Sequence, residues 1–367
     1  LALTPGSPRA IAELIRRAAV ARDPTRVSDA LAWVLAQAEP LGDLAQPFAE
    51  ALHLLFQIDP SKALAVSRRT LDVFGPRIPV LRSRLLQIAE WADEPALGVS
   101  VLERWVASKP PESETRSVLL ELSRKRAETG DLDGAARELV RAVEAGASAR
   151  EVLAFLDEID AATSADGSIT LGSDGLVAMF EARAGALAQL LPGEAQNAAL
   201  AYRELGGLRW DLADDRSGAE LAIFTAAQIL PRGGVELYAR DLCELSGAEA
   251  ALSALLNRAA SLEEDDERRL RAAVLIEAAN IALALNRHTV ALDVAREAVA
   301  LDPSRADAIA VAERCADVDG GIEALDGMYD RLAEAALGCY GQRAAHYRGA
   351  RKLEQLGAIA CFEAVPS

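Results

Sequence analysis

Cysteine is scarce in this chain, with four in 367 residues, at positions 243, 315, 339 and 361. None forms a Cys-x-x-Cys pair, and each sits within or beside an apolar helical pattern. Small buried hydrophobes are therefore expected, not zinc ligands or a disulfide framework. Histidine is scarcer still: His53, His288 and His346 never stand three or four residues apart, and no His-Glu-x-x-His occurs. There is no Gly-x-Ser-x-Gly, no P-loop, and no Gly-x-Gly-x-x-Gly set between a strand and a helix. No catalytic constellation, metal or cofactor is expected. No apolar run approaches the ~20 residues that span a bilayer, so membrane insertion is not expected either. The first residues do not read as a secretory signal, and cytoplasmic placement is the expectation. Positive charge is in deficit too. Lys and Arg total 39 against 56 Asp and Glu, a formal net charge of −17. Such a surface repels phosphate backbones, and no basic stripe offsets it, so nucleic acid is not an expected partner.

Aromatic residues make up 4% of the chain while hydrophobic residues in total reach 51%, with Ala and Leu dominant. Both residues enter helices at little entropic cost, and Val, Ile and Thr nowhere cluster into alternating runs. The composition predicts an all-α protein with a large buried surface.

The clearest local signal is residues Ala272–Pro303. Leu275, Ala278, Ala279 and Ala282 share one helical face. After a break at Asn286-Arg287-His288, so do Ala291, Val294, Ala295 and Ala298. Spacings of three and four mark amphipathic helices, small residues permit close approach of two backbones, and Pro303 stops the second helix. Pro76 and Pro110 close helices 34 residues apart, and Pro231 and Pro303 close helices 72 residues apart. A further unit, Arg116–Ala145, turns at Gly130-Asp131, where Gly suits a left-handed helix end and Asp suits the next cap. Small residues at these positions, with a closing proline at this period, resemble the tetratricopeptide repeat, a helix–turn–helix unit of about 34 residues. The resemblance implies an α-solenoid of antiparallel helix pairs, a right-handed superhelix whose first helices line a concave face.

The expected organisation is a helical array over residues 1–161, a loop or insertion over 162–175, and a second array over 176–367. The loop is rich in Ser, Thr, Gly and Asp, with a short hairpin expected at Ile169-Thr170-Leu171. The absence of an initiator Met and the unfinished last helix pair lead us to expect a fragment of a larger bacterial repeat protein. Within the arrays, Ser7 is expected to cap the first helix, Ser261 and Glu264 are expected to form a capping box for a helix over 262–285, and Trp33, Trp91, Trp105 and Trp210 are expected to be buried.

Carried onto this chain, the inward positions of the repeat are Ala273, Ile276, Asn280 and Leu283 in one unit and Ala201, Glu204, Leu208 and Asp211 in another, with Arg240 and Glu244 comparable between them. Ile276 stands where a carboxylate-gripping repeat has a cation, and Glu204 and Asp211 would repel a carboxylate. The expected partner is a protein or peptide segment, neutral or basic, held in a groove by a non-catalytic scaffold or adaptor. Two other readings follow from the same residues: an accessory region of a larger enzyme, such as a kinase or cell-wall hydrolase, and an array that associates with itself.

Overall fold

The computed structural model describes residues 8–36, 41–165, 171–230, 233–262, 264, 267–317, 321–336 and 338–355. Among them no strand occurs. The fold is all-α, built from successive helix pairs as in an α-solenoid. Its contacts divide the chain into two compact units, Leu1–Ala201 and Tyr202–Ser367.

In the first unit the helices are α1 (Pro8–Val20), α2 (Pro24–Ala36), α3 (Ala45–Ile58), α4 (Pro60–Phe74), α5 (Pro79–Trp91), α6 (Pro95–Ala107), α7 (Glu112–Glu128), α8 (Leu132–Glu144), α9 (Ala149–Ala165) and α10 (Ser173–Ala188), and α11 (Ala195–Asp211) begins there. From α1 to α10 each helix packs on the next, and α1, α3 and α5 also pack side by side, as do α2 and α4. The second unit continues with α12 (Arg216–Ile229), α13 (Gly234–Ser246), α14 (Ala248–Ser261), α15 (Arg268–Ala284), α16 (His288–Leu301), α17 (Ala306–Arg314), α18 (Gly321–Ala335) and α19 (Gly338–Gln355). Here α13, α15 and α17 lie side by side, and α16 packs on α18. Neighbour-on-neighbour and alternate-on-alternate packing is what stacked helix pairs require to bury a continuous core.

One turn recurs in both units and explains where the pairs bend. Asp93, Gly130 and Asn286 follow α5, α7 and α15 with φ of 53°, 80° and 58°. The next residue in each case, Glu94, Asp131 or Arg287, donates its amide to the carbonyl of Ala89 (2.8 Å), Arg126 (2.9 Å) or Ala282 (2.8 Å). This left-handed closure satisfies carbonyls that the helix end leaves free. The same residue then begins the following helix: the Asp131 carboxylate accepts from the Gly134 amide at 2.9 Å.

Alanines set the closeness of α15 and α16. Ala278, Ala279, Ala282, Ala291, Ala295 and Ala298 are all fully buried. A methyl side chain fills the interface without holding the backbones apart, and a larger residue there would overpack it.

Four expectations need correction. The stretch 162–175 is largely helical at its ends: α9 runs to Ala165 and α10 starts at Ser173. Gly172 and Gly175 serve packing, because the Gly172 amide donates to Asp133 Oδ1 of α8 at 2.9 Å, and a Cβ on Gly175 would fall 1.9 Å from that same oxygen. The stretch does not coincide with the division between units, and the hairpin expected at 169–171 lies mostly outside the described residues. Secondly, α15 starts at Arg268, not Leu262. Ser261 ends α14, where its hydroxyl donates to the Arg258 carbonyl at 2.8 Å, so the capping box is not formed. Thirdly, Trp33 and Trp91 are exposed, at 43% and 46%. Finally, Ile276 and Leu283 do not line a groove, as described below. Ser7, Pro231 and residues 357–367 lie outside the described residues.

Candidate interaction face

In the second unit the side-by-side helices each leave one narrow strip uncovered. Helix α15 is covered by α13, α14, α16 and α17 together. Its free strip is Ala273, Glu277, Asn280 and Ala284, spaced four, three and four. Ile276 and Leu283 lie one position away around the helix and are 1% and 5% exposed, inside the core. Four neighbours leave too little surface for a wider strip. An apolar residue at its margin is drawn inward, since burying an Ile or Leu side chain is worth about 1.5–3 kcal/mol.

Of the other sequence-derived positions, Glu204 and Asp211 are exposed on α11 and Leu208 is half-buried between them. On α13 the exposed strip is Glu236, Arg240 and Glu244. Arg240 Nε stands 3.7 Å from Glu244 Oε1 and 3.9 Å from Asp241 Oδ1, so its charge is spent within its own helix. Asp241 itself is buried and takes two hydrogen bonds from Arg203 of α11, at 2.5 and 2.8 Å. On α17, Arg305 Nε and NH2 stand 3.0 and 2.5 Å from the two oxygens of Asp307.

The residue that the sequence reading missed is Glu277. Burial pushes its carboxyl above the usual carboxylate range, and Glu236 and Asp307 push it further. The Asn280 amide and Arg305 pull the other way without cancelling that rise. Glu277 thus brings the free strips of α13, α15 and α17 into one electrostatic neighbourhood. The available signal was the one-position offset between Ile276 and Glu277: an ionisable residue in an otherwise apolar helix must find the strip that water reaches.

The cations beside this face are matched internally: Arg203 by Asp241, Arg240 by Glu244, Arg305 by Asp307. Glu204, Asp211 and Glu236 carry no ion pair among the described residues. The face therefore offers a surplus of carboxylates around Asn280 and the half-buried Leu208. Among the described residues no helix is long and apolar enough to cross a membrane.

No protein-family model matches the chain, and no curated protein does. Among solved structures, one titled "Structure of Naa15/Naa10 bound to HypK-THB" is similar over 96% of this chain and 67% of that chain, at 16% sequence identity and a TM-score of 0.26.

Proposed function

We propose that this chain is an interaction scaffold whose second unit holds a neutral or basic segment of a partner protein along the exposed strips of α11, α13, α15 and α17. The observation that carries the reading is Glu277. A carboxylate kept half-buried beside Glu236 and Asp307 works against the stability of its own unit. Groups retained at such a cost are characteristic of surfaces selected for binding. A cationic side chain laid over Glu277 and Glu236 would relieve both the burial and the repulsion. Leu208 would supply apolar contact and Asn280 a hydrogen-bonding edge, while the surplus carboxylates exclude acidic competitors.

The test is capture of an immobilised array of short Lys- and Arg-containing peptides by the purified chain, repeated with the Glu236→Lys/Glu244→Lys and Glu204→Lys/Asp211→Lys variants. Charge reversal of residues outside the core should abolish retention while leaving helicity intact. Retention unchanged in both variants would overturn the assignment of this face.

A further inference from the structure

The N-terminal part of the first unit carries a different surface, and it is not acidic. Residues 1–150 hold 20 Lys and Arg and 20 Asp and Glu, so the whole net charge of −17 falls on residues 151–367. Within this neutral part, the side-by-side helices α3 and α5 bring three rings together. Trp91, 46% exposed, lies 5.0 Å from the His53 ring and 5.7 Å from the Phe56 ring, centroid to centroid. The Arg84 guanidinium stands 6.0 Å from the Trp91 ring centre.

Arg84 has no carboxylate partner among the described residues, unlike several arginines of the neighbouring helices. Arg82 stacks on Trp105 at 3.3 Å and meets Glu114 at 3.7 Å; Arg68, Arg104 and Arg126 pair with Glu94, Asp72 and Asp131. Arg84 instead donates to Gln87 Oε1 at 2.9 Å, and its Nε is shielded from solvent with no hydrogen-bond partner. The His53 Nδ1 beside it is in the same position, its Nε2 facing the Gln57 amide at 2.9 Å. A guanidinium with no counter-charge beside an exposed ring is an unfilled half of an ion pair. Beside it, an exposed Trp on a Phe is the kind of anchor on which binding energy concentrates.

We propose that this face of α3 and α5 docks an acidic segment of another protein, with a carboxylate seated on Arg84 and the neighbouring aromatic or branched apolar side chain laid on Trp91 and Phe56. This rests on the reading of the chain as a scaffold, but it names a second face and a partner of opposite charge. The guanidinium selects the sign of charge. The rings require an apolar side chain next to it, so a purely acidic stretch is not enough.

The test uses the full chain and an array of short peptides in which Asp or Glu flanks a single Phe, Tyr, Trp, Leu or Ile, printed beside the same peptides with Lys in place of the acid. Acidic peptides should be captured, and their affinity should fall about tenfold or more in Trp91→Ala and in Arg84→Gln, as for hot-spot residues generally. Circular dichroism checks that both variants remain helical; should Trp91→Ala lose helicity, Arg84→Gln decides. Capture indifferent to charge, or unchanged in Arg84→Gln, overturns the proposal. Self-association on a dilution series that disappears in Trp91→Ala also overturns it, by making a second copy the occupant. Capture of basic peptides alone, lost in Glu236→Lys/Glu244→Lys, removes this proposal and leaves the acidic face of the second unit standing. An array silent to both charges removes both.

Discussion

Arg203 on α11 and Asp241 on α13 form a two-pronged ion pair, Nε to Oδ2 at 2.5 Å and NH2 to Oδ1 at 2.8 Å, with the aspartate 7% exposed. It ties together two helices whose free strips belong to the proposed acidic face, and it removes from that face a cation that would otherwise repel a basic partner. Asp241→Ala leaves the guanidinium without its hydrogen-bonded counter-charge. The expected loss is about 2 kcal/mol, below the range for fully buried pairs because Arg203 keeps some access to water. Thermal denaturation should show Tm lower by about 4–8 °C. Arg203→Lys keeps the charge but cannot make both bonds, and should lose less.

Glu277 gives a prediction of opposite sign. Its folded-state carboxyl titrates above its ordinary value, so the folded chain binds more protons than the unfolded chain in the window above that value. Stability contributed by this group is present at acid pH and lost as pH rises. Glu277→Gln should therefore raise Tm at pH 7 and should leave it unchanged near pH 4. The same substitution should weaken capture of basic peptides. A variant that gains stability and loses binding separates the two roles.

Two tyrosines predict an alkaline limit in the second unit. Tyr238 donates to Glu220, which Arg258 also grips at 2.5 and 3.0 Å. Tyr329 donates to Glu313 at 2.5 Å, with Lys352 at 3.1 Å from the same carboxylate. Burial, then the carboxylate partner, pushes both phenols well above their ordinary value of 10.0. The folded state keeps these protons while the unfolded state releases them, so stability is full below that ordinary value and falls as pH rises past it. A tyrosinate absorbance titration should show two phenols that ionise only on unfolding, and Tyr238→Phe with Tyr329→Phe should remove that step.

The Asp131 turn predicts an acid limit in the first unit. Burial raises the Asp131 carboxyl, but the Gly134 amide and Arg126 outweigh it and hold the group below its ordinary 3.8. Its contribution is present above that value and is lost as pH falls through the folded-state value. Asp131→Ala should cost about 1–2 kcal/mol at pH 7, the range of a lost cap, and nothing more once the native carboxylate is protonated. Gly134→Ala should cost a similar amount, because its Cβ would lie 2.0 Å from Asp131 Oδ2 and displace the cap. Urea denaturation at pH 7 and through a series of falling pH measures both.

The helical pairs were legible because their rules are local. Three-and-four spacing, Gly130-Asp131 and Pro-punctuated ends each act within a few residues of backbone. The failures were of another kind. Ser261 and Glu264 carry the spacing of a capping box, yet the helix they would cap begins at Arg268, so a capping pattern located a helix end without saying which helix. Trp33 and Trp91 sit in helical patterns like the buried Leu31 and Ile88, and nothing in their spacing shows that packing ends before it reaches them. On α13 and α11 the charges Glu204, Asp211, Arg240 and Glu244 are exposed, since a charged side chain must reach water wherever its helix packs. On α15 the apolar pair Ile276 and Leu283 was placed one position out of register, since an apolar residue tolerates either side.

The sequence alone determined that this chain is helical, that its helices come in pairs, and that one part of it carries the excess negative charge. Those properties follow from composition, periodicity and turn chemistry. Tertiary structure alone decided which strip of each helix stays free, which arginines are already matched, and that Glu277 and Arg84 are among the ionisable groups left incompletely satisfied. The reason is physical. A helix surrounded by four others exposes whatever sliver its neighbours leave, and that sliver is fixed by contacts between residues far apart in the chain.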